Sequence, residues 1–459
     1  MDFATAPRGE LVALIYQQQT EIEILKGRII ELEEKFKKRD GGDDNAKTQS
    51  FVVKANIKKK KRKKERKKRA HGFARKREQP TETVFHSFDL CPGCGTDDLG
   101  QPAVSYSRQI IDIPRITYTV VEHVVFKRYC FGCNRMVSPR VDFSRYVLGQ
   151  GRIGITLMAG IFTMREQENM TVHQIQDHLQ TVYSLTLSLG EIIEILHQEA
   201  SLGRNPVAKI QQKLLSSKAI YADETGGREN GNNGYHWSFS NQKYQLLLYR
   251  KSRAAKVVAE VFGKEGKNYT GVLVTDFYTA YNEYFGPHQR CWVHYLRDMK
   301  KLKEEHPKDR KLKRWIKQVH AVYGEAKAYP GPASQLPIGL KEQERREKEA
   351  YFRQKLKRLC APYIKTDTPQ AKLAARAIRY LSELFTFVRF EGVAPDNNMA
   401  ERAVRKTVIQ RKISFGTRSP KGSETKSILG SLFGTWRLQH LNPFEQMRLL
   451  LLSASNQEV

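Results

Sequence analysis

The sequence predicts a multidomain chain. A mixed α/β core follows an N-terminal coiled coil, a four-cysteine ribbon and a helical domain. Three observations predict it. A heptad seam runs through residues 1–40, two CxxC pairs follow, and from residue 213 strand-like runs ending in aspartate alternate with helical segments. With 40% hydrophobic residues among 459, the chain is long and apolar enough to bury sizeable cores.

The seam comprises Leu11, Ile15, Gln18, Ile22, Leu25, Ile29, Leu32 and Phe36, stepping alternately by four and three. Ile15, Ile22 and Ile29 fall at position a, with Leu11, Leu25 and Leu32 at d, the combination that favours parallel dimers. Gln18 is the polar exception and would set register. An amphipathic helix packed on its own protein is the competing reading, but sustained a/d chemistry favours a coiled coil and hence a homodimer. "GGDDN" at 41–45 ends the seam.

Lys58 to Arg69, "KKKKRKKERKKR", holds eleven basic residues in twelve and no apolar period, so residues 41–80 read as a basic disordered linker. The whole chain carries 79 Lys+Arg against 49 Asp+Glu, a formal charge of +30. Such an excess favours a polyanionic partner, since each neutralised phosphate releases counterions. A merely soluble basic protein is the bland alternative, and nucleic acid is preferred to it. The N-terminus carries acids and spaced apolar residues, unlike a signal peptide. The best membrane candidate, Ile153 to Met164, spans twelve residues between Arg152 and Arg165, too short to cross a bilayer. The expectation is a cytoplasmic, nucleoid-associated protein with no membrane partner.

Cys91-Pro-Gly-Cys94 and Cys130-Phe-Gly-Cys133 lie 35 residues apart within residues 81–148. Two such turns can complete a tetrahedral Zn2+ site. Four thiolates leave no open position, so the site would be structural. Two redox or buried pairs are the alternative. Residues 149–212 turn helical, with a second helix opening after Ser188, which suits either a helix-turn-helix reader of DNA or plain scaffolding.

The core begins at residue 213. "KAIYADET" sets Ala219, Tyr221 and Asp223 on one strand face, and "GVLVTDFYTAY" does the same for Val272, Val274 and Asp276. Two further strands and a helix intervene, giving β, β-β, α, β with an aspartate ending the first and last strands. One such Asp is usually a turn or helix cap. Two that converge repel and raise each other's pKa unless a cation lies between them, and two Mg2+ ions would do so. In "APDNNMAERAVRK", Glu401 reads as the close of a capping box on Asn398, or as a partner for Arg405. It can equally supply the third carboxylate of a metal site. Arg402, Arg405, Lys406, Arg411 and Lys412 follow it, cations suited to DNA phosphates.

Asp223-Glu224-Thr225, Asp276, "CWVH" at 291–294 and "DNNMAER" at 396–402 together resemble the DDE-type transposases of the bacterial insertion-sequence 66 family. The resemblance covers most of the chain. It implies a ribonuclease-H-like core in which Asp223, Asp276 and Glu401 bind two Mg2+ (or Mn2+) ions. It also implies cleavage at element ends and strand transfer into target DNA. Cys291 and His294 match a CxxH motif of transposases. By chemistry alone they hold a strand end more readily than a metal, because two ligands do not make a zinc site. The 401 − 276 = 125 residues between the later acids exceed a plain ribonuclease-H fold. Residues 213–295 and 391–459 therefore form the two parts of the core, and 296–390 an all-helical insertion, as the resemblance suggests. The "GGRENGNNG" stretch departs from the family in length and glycine content, so the strand after Asp223 is expected to be placed differently. Arg418 and Lys421 would sit in a flexible loop near DNA. Two rival functions remain: a catalytically inactive DNA-binding regulator derived from a transposase, and a structure-selective nuclease with the same core.

Overall fold

A computed structural model of the chain describes residues 77–112, 117–332 and 335–455, so the heptad seam and the Lys58–Arg69 tract lie outside the described residues. The chain divides between Asp112 and Ile113 into two compact units. In the first, the Cys91–Cys94 turn closes through Gly95 N–H to Cys91 O (2.8 Å) and Cys91 N–H to Thr96 O (2.8 Å). Among the described residues no helix is long and apolar enough to cross a membrane.

The first strands of the second unit form an antiparallel hairpin, β1 (Arg128–Cys130) and β2 (Arg135–Val137), with Cys130 ending β1 and Cys133 in the turn. Three helices follow: α1 (Ile155–Glu166), α2 (Val172–Tyr183) and α3 (Leu189–Leu215). Thr171 and Ser188 each close a capping box, with Gln174 and Glu191, which sets where α2 and α3 begin.

The central sheet contains β3 (Ala219–Glu229), β4 (Asn232–Ser240), β5 (Gln245–Arg250), β6 (Val272–Thr275) and β7 (His288–Arg290), with α4 (Lys256–Phe262) before β6. Its order is β5-β4-β3-β6-β7. β3, β4 and β5 pair antiparallel, while β6 runs parallel to β3 and β7 parallel to β6. The adjacency expected of the two aspartate strands is present. The expected strand end is not: Asp223 lies within β3, which continues to Glu229. The glycine-rich stretch is strand and hairpin rather than loop. Asn230 (φ 48°) and Gly231 (φ 79°) form a two-residue tip whose paired positive φ suits the right-handed twist of a hairpin.

Helices α5 (Trp292–Glu305), α6 (Arg310–Ala328), α7 (Ile338–Cys360), α8 (Ala371–Arg379) and α9 (Thr386–Arg389) gather around a hydrophobic core of their own, with Trp292, Trp315, Leu356 and Phe385 at its centre. The chain then returns to the sheet through α10 (Asn398–Ser414), α11 (Pro420–Leu438) and α12 (Pro443–Ser455). α11 shields the edge strand β5 with hydroxyls one turn apart. Ser427, Ser431 and Thr435 accept from Tyr249, Leu247 and Gln245 N–H at 3.0, 2.8 and 3.1 Å. The helix thus satisfies donors that an open edge would offer to another strand. Gly434 permits this approach, since a Cβ there would strike the Gln245 side chain. α3 buries Ile192, Ile195, Leu196, Ala200, Ile210 and Leu214 in the main core and packs along α11. Its apolar stripe is therefore scaffold, whatever its exposed face contacts.

α1 and α10 are joined by a buried ion pair. Lys406 Nζ reaches the Glu166 carboxylate and lies 4.2 Å from the Phe433 ring centre. Burial opposes ionisation of Glu166, but Lys406, Arg165 and Lys426 outweigh it and hold the carboxyl below its usual range. Glu166→Gln should cost about 2–3 kcal/mol in urea unfolding, less than a fully buried pair because Lys406 keeps 25% exposure. The double change Glu166→Leu, Lys406→Met should recover most of that loss, and a cycle showing no coupling between the two would refute the pairing.

Candidate active site: three carboxylates on one face of the sheet

The register places the acids. Ala219 pairs with Val272 and Tyr221 with Val274, so the next step on that face sets Asp223 beside Asp276, which directly follows β6. Tyr221, Val272 and Val274 form an apolar patch with Val393 and Ala400. That patch seats the first turn of α10 over the strands, and Glu401 follows Ala400. Tyr221 Oη accepts the Ala394 N–H at 3.0 Å and fixes the approach. Asp223 Oδ1 accepts its neighbour Glu224 N–H (2.9 Å), and Asp276 Oδ1 accepts Tyr278 N–H (2.9 Å) in a turn that ends the strand.

Burial, then the charges of Glu224, Asp276 and Glu401, pushes the Asp223 carboxyl up to about 7, against the pull of the Glu224 N–H. Glu401 forms no capping box. The N-cap is Asn397, without a side-chain cap bond, and Glu401 N–H bonds to Asn397 O at 3.1 Å. Instead of pairing with Arg405, Glu401 Oε1 lies 3.7 Å from both His294 Nε2 and Arg297 Nη2. It is buried and has no hydrogen-bond partner. Among the described residues no three His, Cys, Asp or Glu side chains stand close enough together to hold a metal ion as they are placed. Even so, hard oxygens crowded with like charge, one of them orphaned, are a donor set that a divalent cation relieves.

Cys291 and Asn397 hold this arrangement together. Buried Cys291 donates its N–H to Thr275 O (2.8 Å), and its Sγ accepts the Asn397 N–H (3.2 Å). Asn397 Nδ2 donates to Ala222 O (2.7 Å), and Trp292 N–H to Pro395 O (3.0 Å). The residues preceding Asp223 and Asp276 and the N-cap of the Glu401 helix are thereby linked through Cys291 and Asn397. This is the strand-holding role that chemistry alone suggested, with His294 turned to Glu401.

Sequence reasoning missed Arg290 and Arg253, and named Glu224 without giving it a role. Arg290 is 0% exposed. Its guanidinium donates to Glu383 Oε2 (2.6 Å), Asp276 O (2.9 Å), Thr275 Oγ1 (3.3 Å), Tyr278 O (3.4 Å) and Asn282 Oδ1 (2.5 Å). It therefore clamps the loop that carries Asp276, and Glu383, from the helical segment, holds the clamp. A lone arginine beside "CWVH" was the available signal, and nothing local marks it as buried. Glu224 opposes Trp237 across β3 and β4. It accepts from Tyr281 Oη (2.5 Å) and Arg253 Nη2 (2.5 Å), and Arg253 stacks 3.8 Å from the Tyr278 ring centre. Burial and Asp276 raise the Glu224 carboxyl.

The cations divide. Arg402, Arg405 and Lys412 are exposed. Lys406 and Arg411, expected on a DNA-facing surface, are turned into the fold. Lys406 meets Glu166, and Arg411 donates to Thr225 Oγ1 (3.2 Å) and to Gly226 O. Each cysteine pair forms a turn that favours thiolate. The Cys94 and Gly93 N–H groups lower the Cys91 thiol, and the Cys133 N–H and thiol lower Cys130.

Residues 150–425 match the model of the transposase IS66 family, and residues 89–134 that of the zinc-finger binding domain of transposase IS66. No curated protein matches the chain.

Proposed function

Because the chain belongs to the IS66 family of transposases, we propose that Asp223, Asp276 and Glu401 form a DDE-type site that cleaves DNA at element ends and joins it to target DNA. The register that sets Asp223 beside Asp276, with the start of the Glu401 helix packed on the same pair of strands, carries this reading. The antiparallel β3-β4-β5 meander, continued by parallel β6 and β7, supports a ribonuclease-H-like core. Two bound Mg2+ or Mn2+ ions would supply an activated water, or later a 3′-hydroxyl, and would stabilise the leaving oxygen. The chain's own part is to hold and orient. Asp223 gives up its proton to become a ligand, Cys291 and Asn397 fix the backbones, and His294 and Arg297 restrain the Glu401 carboxylate. No covalent protein intermediate is involved. Exposed Arg402, Arg405 and Lys412 follow backbone phosphates.

Cys91, Cys94, Cys130 and Cys133 hold a structural Zn2+ in this reading, supported by the zinc-finger match and by the thiolate-favouring turns. The N-terminal seam pairs two protomers so that two DNA ends are handled together. The protein works in the cytoplasm at the nucleoid.

The test is strand transfer with labelled terminal-repeat DNA and Mg2+. Asp276→Asn and Glu401→Gln should each lower cleavage and joining about a thousandfold or more. If these two and Asp223→Asn all leave activity intact, the assignment fails. Wild-type cleavage without joining would point to a nuclease, and DNA binding without either step to an inactive regulator.

A further inference from the structure

α10 ends at Phe415 in a left-handed conformation (φ 60°, ψ −19°), a region a bulky side chain enters at a cost. The turn is built firmly. Thr417 N–H bonds to Arg228 O (3.0 Å) and Asn230 N–H to Thr417 O (2.8 Å), joining the end of α10 to the tip of the β3–β4 hairpin. Gly416 is required there, because a Cβ would collide with the Arg228 carbonyl. With the backbone pinned, the Phe415 ring is directed outward and is 79% exposed.

Its surroundings are cationic. Arg228, Lys412 and Arg418 are exposed, and Ile409 and Ile413 expose part of their side chains on the preceding turns of α10. Towards Glu401 the helix adds exposed Arg402 and Arg405. Among the described residues none of these five cations forms an ion pair with a carboxylate, so the strip carries uncompensated positive charge. The same strip of a second copy would set like charge against like here, so self-contact at this strip is disfavoured. A DNA duplex supplies both phosphates for the cations and π-faces for the ring.

We propose that Phe415 is a wedge that stacks on a base of the bound DNA. The proposal rests on the reading of the three acids as a DNA-cleaving site. From Glu401 to Phe415 the helix advances 415 − 401 = 14 residues, about 21 Å at ~1.5 Å each, or roughly six base steps at ~3.4 Å. A duplex with its scissile phosphate at the acids and its backbone along Arg402, Arg405 and Lys412 brings a base step to the ring. There the aromatic side chain replaces the neighbour that a base loses on unstacking.

The experiment uses the full chain carrying Asp276→Asn, which binds without cutting, and terminal-repeat duplexes with 2-aminopurine at one position at a time. Fluorescence should rise at a position roughly six base pairs from the scissile phosphate. Adding Phe415→Ala should abolish the rise and weaken binding about tenfold, whereas Phe415→Trp should keep both. The ring is exposed, so thermal unfolding should not change. Unchanged fluorescence and affinity in Phe415→Ala would overturn the proposal. So would a loss of self-association without DNA, which would make the ring a protein contact. The readout needs no catalysis, so failure of the wedge is separable from failure of the acid assignment, which would instead show as retained cleavage in the acid variants.

Discussion

Asp223→Asn should stabilise the metal-free protein at pH 8 while silencing it. In the unfolded chain an aspartate ionises near ~3.9. In the fold, burial and the neighbouring acids hold the Asp223 proton up to about 7. Between these values the folded state binds a proton that the unfolded state has released. The contribution of Asp223 is therefore fully present below pH ~4 and is lost as pH rises to about 7. The gap between the two states would correspond to ~4 kcal/mol at most, and residual solvent access reduces this to roughly 2–3 kcal/mol. Asparagine removes the ionisation, so denaturant unfolding in EDTA should show a gain of that size at pH 8 and almost none at pH 4. Mg2+ should then stabilise the wild type and leave the variant nearly unaffected. Equal pH profiles for the two proteins, or equal responses to Mg2+, would remove Asp223 from the site.

Arg290→Met should be the most damaging change away from the acids. It leaves Glu383 without its guanidinium and the Asp276 and Tyr278 carbonyls without donors, at a cost of roughly 3–5 kcal/mol. Lysine should restore only part, because a single ammonium cannot reproduce a fork serving five acceptors. Glu383→Gln should keep the fold with about 1–2 kcal/mol lost, since the amide can still accept from Arg290 Nε. The distinguishing readout is Mg2+ demand in the cleavage assay. If Arg290 orients the Asp276 loop, Glu383→Gln needs more Mg2+ for half-maximal rate at a temperature where it is fully folded. A rate falling only in step with the folded fraction would reduce Arg290 to a structural role.

Much of this site was legible locally. Apolar runs at a two-residue period give β3 and β6 their faces, and that period alone puts Asp223 and Asp276 on the same side once the strands are neighbours. Ser188 marked the start of α3 because capping chemistry is local. The β3–β4 hairpin was equally readable, since Asn230-Gly231 between polar and aromatic residues is a turn signal. The four glycines of the stretch mask it, because glycine marks irregular loops as readily as strand close to a turn. The length of β3 depends on that hairpin, and with it the interior position of Asp223.

Sequence by itself singled out three candidate acids, the strands that carry two of them, the paired CxxC turns and the excess of positive charge. These depend on residue type and short spacing, which chain position records directly. Tertiary structure decided the rest. It turned Glu401 towards His294 and Arg297, set Cys291 Sγ under the Asn397 N–H, buried Arg290 against Glu383 and drew Lys406 and Arg411 inward. Each of these contacts, His294 and Arg297 with Glu401 included, joins residues about ninety or more positions apart in the chain. A cation near the surface and a cation beneath it have the same sequence neighbours. Only the packing of α10 against β3 and α1 determines which one meets water and which meets a carboxylate.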